Sequence, residues 1–578
     1  MSAQQLWRAG RLAGLVVALA GVSFAQNTSD EVTQLKARLA ELQKQVEVLS
    51  HRLDQMSADT AAPPAAPAQV SSKTSGNPAP AAPEPHSYPP KSLTASTTPV
   101  AALVAAAAPP VPAVAPPPIP KAAPAPAAQS ASAPPSSPLQ IRIGDVGITP
   151  VGFMDFTTFW RDKDAASSMG SNFGSVPYNN TVQGNLSEFH FSNQNSRLGF
   201  RVDGVFKGVR FIGYNEFDFN GTSGATNLAV SNGAIVPRLR LYWLDLRKGA
   251  IEFLGGQSWS LMVPNRKGLS ALPGDLFYSQ VIDINYIAGL TWTRQPGLRV
   301  LFHGPGDKVN FGFSVEQGDQ YIGGSGGGGA ITLPSALSGL VPTQLDQAGN
   351  ISGASYLQSP TLTPDFIAKL ALDPSSHFHF ELGGILSSFK TSALATPWTN
   401  HTTTGGGVTF GVNAEVVKNV RAVASGMLSN GEGRYLFGAA PDLVVRADGS
   451  LSPVRADGYI TGLEATVKNT LFYAYYSGDY VGRNVAIDAN GTSLIGYGYR
   501  GSANSQNRSI QEVTFGFNQT IWKDAKYGAV NLMGQYEYLM RDPWYVAAGA
   551  PKATHDNTVY VNVRYTLPGS APTMLPNK

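Results

Sequence analysis

The side chains with the widest chemical reach in this chain are arginines set into stretches where polar and apolar residues alternate. Arg197 and Arg201 alternate with Leu198, Phe200 and Val202; Arg238 and Arg240 with Leu239 and Leu241; Arg210 with Val209 and Phe211; Arg421 with Val420 and Ala422. A two-residue period is that of a strand, so each guanidinium points away from the apolar face. Guanidinium is a permanently charged planar fork that grips carboxylate or phosphate through paired hydrogen bonds. Arginines 197, 201, 210, 238 and 240, on three neighbouring strands, therefore make a candidate basic ladder for anions. Arg299 joins this set, whereas Arg294 falls on the opposite parity, and a bulge at Pro296 would reconcile the two. Glu216, Asp218, Glu252, Glu316, Glu381, Glu415, Glu512 and Glu537 share the polar face, so a wall of mutually neutralising pairs is the competing reading. With 33 basic and 32 acidic residues after position 138, net charge does not decide between them.

Other chemistry finds little support. Gly323, Ser325 and Gly327 spell G-x-S-x-G, but inside a glycine tract of a long loop, without the strand, elbow and helix that expose a nucleophile. His377 and His379 share a face with no third ligand in view, which suits polar lining better than a metal. No phosphate loop, dinucleotide fingerprint or HExxH motif occurs, so neither enzyme activity nor a cofactor is expected. The absence of cysteine excludes disulfides and thiolate chemistry. A formal charge of +3 from 42 basic and 39 acidic residues is too small for nucleic-acid binding driven by counterion release.

The arginine faces need strands to hold them. Alternation marks sixteen runs, at about 148–160, 195–206, 208–220, 236–248, 249–259, 289–303, 307–319, 364–373, 376–390, 404–418, 419–430, 458–468, 469–481, 508–523, 526–541 and 555–567. Tight turns such as Lys207, Lys248-Gly249, Lys418-Asn419 and Lys468-Asn469 alternate with long loops. An even number of long strands, with short turns at one rim and long loops at the other, predicts an all-β transmembrane barrel of about 16 antiparallel strands over 139–578. Its apolar face meets lipid and its polar face an aqueous lumen. Phe159, Trp160, Trp259, Trp522, Tyr538 and Trp544 fall near strand ends, where interfacial girdles form. The third long loop, 260–288, carries Arg266, Lys267, Asp275 and Asp283; folded inward it is a constriction loop that sets selectivity, and lying outside it is an ordinary surface loop.

Ahead of the strands, Arg8 and Arg11, an apolar run from Leu12 to Ala20 and the small residues of Ser23-Phe24-Ala25 make residues 1–25 a cleaved secretory signal peptide. Val32, Leu35, Leu39, Leu42, Val46, Leu49, Leu53 and Met56 then form an unbroken heptad seam, so 26–56 is expected to be a short α-helical coiled coil in the periplasm. Residues 57–138, rich in Ala, Pro and Ser, form a linker without a core of its own.

Leu239-Arg240-Leu241-Tyr242-Trp243, Gly256-Gln257-Ser258-Trp259-Ser260, Arg294-Gln295-Pro296, Arg508 to Gly516 and Arg541-Asp542-Pro543-Trp544 resemble the DcaP-like porin family of Gram-negative outer membranes, in islands over about 148–567. The resemblance implies a sixteen-stranded homotrimer with a periplasmic N-terminal helix, passing small anionic solutes such as dicarboxylates. The expected function is an outer-membrane porin whose water-filled channel passes small hydrophilic solutes by passive diffusion. Two alternatives stand beside it. One is a structural tether from the membrane to peptidoglycan through 26–138; the other is a barrel-anchored hydrolase, for which no nucleophile is placed.

Overall fold

The computed structural model describes residues 137–569 apart from 166–168, 222–235, 275, 278–279, 319, 324–328, 330, 338–357, 360–362, 394–398 and 438. The heptad seam, the signal, most of the linker, Ser325 and Gly327 lie outside the described residues. Sixteen strands build the wall: β1 (Val146–Arg161), β2 (Arg197–Phe206), β3 (Val209–Gly221), β4 (Val236–Lys248), β5 (Ile251–Trp259), β6 (Arg294–His303), β7 (Val309–Glu316), β8 (Asp365–Ser375), β9 (Phe378–Ala393), β10 (Thr399–Val417), β11 (Val420–Asn430), β12 (Arg455–Val467), β13 (Thr470–Val481), β14 (Asn507–Asp524), β15 (Gly528–Pro543) and β16 (Thr554–Thr566). Every strand pairs antiparallel with the next, and β16 returns to β1 with Thr566 opposite Phe153 and Thr558 opposite Arg161. The sheet is therefore a closed barrel without an edge, as a wall in hydrocarbon requires.

The two faces of the wall separate by solvent. Leu198, Phe200, Leu239, Leu244, Phe311, Phe313, Leu382, Phe410, Leu463, Phe472, Phe515 and Val561 lie exposed on the outside, while the residues between them are buried. Buried polar groups on the opposite face include Arg197, Glu216, Arg240, Glu252, Arg299, Glu381, Glu512 and Glu537. A guanidinium turned to lipid near the midplane would cost about 2–4 kcal/mol, which is why the pleat keeps these groups inside.

The strand pattern and the structure part company at β6. The run expected from 289 begins only at Arg294, because Gly289 to Trp292 belong to the preceding loop and are buried inside the barrel. An apolar segment enclosed on every side mimics strand alternation. No bulge forms at Pro296 either: the β5–β6 ladder runs unbroken from Trp259 opposite Arg294 to Ile251 opposite Phe302. Arg294 lies at the strand end and places its guanidinium 5.3 Å over Trp259 and 5.7 Å over Trp292. Of the expected girdle aromatics, Trp160 and Trp522 are exposed, but Phe159 and Trp259 are buried. Trp259 packs at a tilt on Trp292 from the inward loop, and Phe159 packs on Tyr560, so both serve the interior rather than the lipid interface.

Candidate functional site in the barrel interior

The segment joining β5 to β6, residues 260–293, does not stay at the rim. It descends the inside of the wall and is anchored at successive levels. Leu261 N–H donates to Glu316 Oε1 at 2.8 Å near the long-loop end of β7. Asn265 N–H donates to Glu381 Oε2 at 3.1 Å on β9, and Gly268 N–H to Asp373 Oδ2 at 3.0 Å where β8 ends at the short-turn rim. Arg266 holds Glu464 of β12 with both oxygens, at 2.9 and 2.7 Å, above the ring of Phe277. The returning half touches the remaining wall: Gln280 N–H meets Tyr475 Oη at 3.0 Å, Ile282 N–H meets Gln535 Oε1 at 2.8 Å, and Ala288 N–H meets Glu512 Oε2 at 2.9 Å. The segment thus crosses the lumen and reaches from one rim to the other.

Two other long loops add to this interior. Asp283 accepts hydrogen bonds from Ser171 N–H at 2.9 Å and Tyr560 Oη at 3.3 Å, tying the first long loop to the third. Burial pushes the Asp283 carboxyl above its ordinary range, against the hydrogen bonds from Ser171 and Asn285 that pull it down. The loop after β11 brings Tyr435, Leu436, Leu443, Val444 and Val445 into an apolar cluster with wall residues Ile367, Ile385 and Met427. Arg434 there binds Asp442 Oδ2 at 2.8 Å and Asp365, and lies 3.4 Å from Glu432. Loops with an apolar core therefore take up part of the lumen, which is not lined by wall polar groups alone.

The arginines singled out by parity sit in a chain of ion pairs. Arg240 is fully buried and donates to Glu216 Oε1 and Asp218 Oδ2, each at 2.7 Å. Arg238 shares the same Asp218 Oδ2 at 2.6 Å, and its side chain keeps 36% exposure where that of Arg240 has 1%. Arg197 lies 3.7 Å from Glu216 and donates to Tyr286 Oη, on the inward loop, at 2.9 Å. Arg201 faces Asp203 at 3.4 Å, Arg210 is 4.0 Å from Glu252, and Arg299 is 3.9 Å from Glu316. Arg421 is held by the neutral oxygens of Asn413, at 2.7 Å, and Ser376, at 3.4 Å. Lys267 is exposed at the tip of the inward loop, and Asp275 lies outside the described residues.

Some participants escape parity reading. Lys369 of β8 is fully buried, 2.9 Å from Glu381 and donating to the carbonyl of Val263 at 3.0 Å. It is flanked on its face by the apolar Ile367 and Ala371, which hid it. Arg564 donates to Asp155 Oδ2 at 2.7 Å across the β16–β1 seam, a pairing that only barrel closure creates. Tyr286, from a loop, had no periodicity to mark it. His379 is paired with Asp373 at 2.9 Å and His377 with Glu415 at 2.6 Å. Among the described residues no group of three side chains is arranged for a metal ion.

Compared by sequence, the chain matches no family model and no curated protein. Compared by structure, it is similar to the outer membrane channel DcaP of Acinetobacter baumannii, with a TM-score of 0.52 and 16% identity over 73% of this chain and 97% of that one. An anion-selective porin from Comamonas acidovorans aligns at a TM-score of 0.39 and 14% identity, over 73% of this chain and 99% of that one. The residue islands and the first of these structures point to the same likeness, and the chain shares that structure's closed-barrel fold.

Proposed function

We propose that this protein is an outer-membrane porin through which small hydrophilic solutes diffuse passively, with a preference for small anions. The observation that carries the reading is a closed wall, apolar outside, whose interior charges surround a loop spanning it from rim to rim. Near the long-loop end of the lumen, three guanidiniums, Arg197, Arg238 and Arg240, share two carboxylates, Glu216 and Asp218, and a fourth, Arg294, lies beside them over Trp259. Most wall charges cancel in pairs; this cluster leaves an excess of two positive charges, the difference between those four and two. In a low-dielectric surround such an excess attracts anions more strongly than it would in water. Arg238, the most exposed of the three that pair with carboxylates, presents that charge, while Lys267 acts from the inward loop.

The same proposal includes export by residues 1–25, a periplasmic coiled coil at 26–56, the 57–138 linker, and three barrels per assembly. A planar-bilayer recording in a salt gradient tests the central claim. Stepwise conductance with a reversal potential on the anion side is expected. A reversal potential on the cation side overturns the anion preference, and absence of conductance overturns the channel.

A further inference from the structure

The inward loop, after crossing the barrel, meets the short-turn rim and encloses a cleft of about 240 Å³ there. It lies between Arg266 and Lys267 of the loop, the β6–β7 turn around Asp307 and Lys308, the β8–β9 turn from Asp373 to Ser376, and Arg421 at the start of β11. The volume is below the roughly 300 Å³ at which drug-sized pockets begin, so its occupant is small.

The charges around it do not cancel. Asp307 is taken by Arg247 at 2.7 Å, a hydrogen bond that holds its carboxyl below the usual range. Asp373 is taken by the Gly268 N–H and by His379. Arg266 is spent on Glu464 at 2.7 Å. Lys267, Lys308 and Arg421 remain; Arg421 stands opposite Glu415 in the β10–β11 ladder, whereas among the described residues neither Lys267 nor Lys308 has a carboxylate within ion-pair distance. Three cations brought together from a loop tip, a turn and a strand end repel one another. A fold that holds Lys267 and Lys308 at one cleft with neither paired leaves their neutralising partner to come from solution.

We propose that this cleft is an anion station at the short-turn mouth of the barrel, which takes a small divalent oxyanion, either phosphate or a short dicarboxylate. Lys267 and Lys308 supply mobile ammonium donors and Arg421 a fixed guanidinium, so a dianion reaches charge balance only by engaging more than one element. The station is separate from the Arg238 cluster. Occupancy there secures the loop tip to the turns, and it concentrates anions at one mouth of the pore.

The test is isothermal titration of the full-length protein in detergent with inorganic phosphate and, separately, with succinate, at low and physiological ionic strength. Saturable binding of either one, weakened by salt, is expected. The Lys267→Gln/Lys308→Gln protein should bind at least about tenfold more weakly, and Lys308→Gln alone, altered only on an exposed turn, should bind several-fold more weakly. Heat-modifiable gel mobility verifies that each barrel is folded. Phosphate alone or succinate alone binding identifies the occupant. No saturable binding of either, or undiminished binding by the folded double variant, overturns the station. Because titration reads occupancy without conduction, the station and the pore's anion preference stand or fall separately.

Discussion

Arg266 and Glu464 join an inward loop to a wall strand seven strands beyond the one from which that loop leaves, through two parallel hydrogen bonds of 2.9 and 2.7 Å. Tyr475 Oη adds a third donor to the same carboxylate at 2.7 Å. Both partners of the ion pair are buried, so neither side chain is easily satisfied by water. Removing one partner strands the other, at a cost of about 3–5 kcal/mol, whereas an apolar pair of similar volume avoids that penalty. Glu464→Gln is therefore expected to lower thermal stability and raise single-channel conductance as the loop leaves the wall. Arg266→Met/Glu464→Leu should recover much of the stability. Equal melting temperatures and conductance for wild type and Glu464→Gln would remove the pair from any role in holding the loop.

The shared carboxylate of Arg238 and Arg240 separates two jobs. Arg240 is buried and bonded to both Glu216 and Asp218, so its loss disturbs the wall itself. Arg238 is partly exposed and gives up one charge with little loss of packing. Arg238→Gln is expected to move the reversal potential toward cations with folding retained, and the shift should shrink in concentrated salt, since the Debye length is about 8 Å at physiological ionic strength. A reversal potential identical to wild type would show that the paired carboxylates already cancel this charge.

The wall was legible because lipid and lumen impose opposite polarity on alternate residues, and β4 begins and ends at Val236 and Lys248 as its alternation predicts. Parity also placed Arg197, Arg240 and Arg299 among buried groups. It failed where another solvent rule applied. Trp259 sits near a strand end, yet faces Trp292 of a loop that no periodicity announces. The partners of Arg266 and Tyr286 come from 198 and 89 residues away, so their meeting depends on the loop's path, which a one-dimensional pattern does not encode.

Gly289 shows how closely the loop approaches the wall. Its φ of +79° is left-handed, and a Cβ there would lie 1.9 Å from the carbonyl oxygen of Gly478 on β13. An alanine in this region costs about 1–2 kcal/mol from its backbone alone. The contact with β13 backbone adds to that, since no side chain can turn aside. Gly289→Ala should leave the barrel closed but expose residues 260–293, read as faster cleavage of that segment in limited proteolysis. Cleavage at the wild-type rate would mean that the loop does not need this approach.

Glu432 gives the loop after β11 a dependence on pH. Burial raises its carboxyl from 4.5 to about 8, against the pull of Arg434. Asp442 rises in the same way, from 3.8 to about 6, through burial opposed by Arg434. A carboxyl that is harder to ionise in the native state binds a proton that the unfolded chain has released. Stability is therefore full below about 3.8, declines first as Asp442 ionises between 3.8 and about 6 and then as Glu432 ionises between 4.5 and about 8, and reaches its lower level above about 8. The docked loop, residues 431–454, should show falling hydrogen-exchange protection from pH 5 to 9, with the Asp442 part complete by about 6 and the Glu432 part spread up to about 8. Glu432→Gln has no proton to lose, so its protection above pH 6 should stay flat and exceed that of wild type at pH 9 by at least about tenfold, the equivalent of one unit of a larger shift. The assignment fails if wild-type protection is the same at pH 6 and pH 9, or if the decline persists in the Glu432→Gln protein.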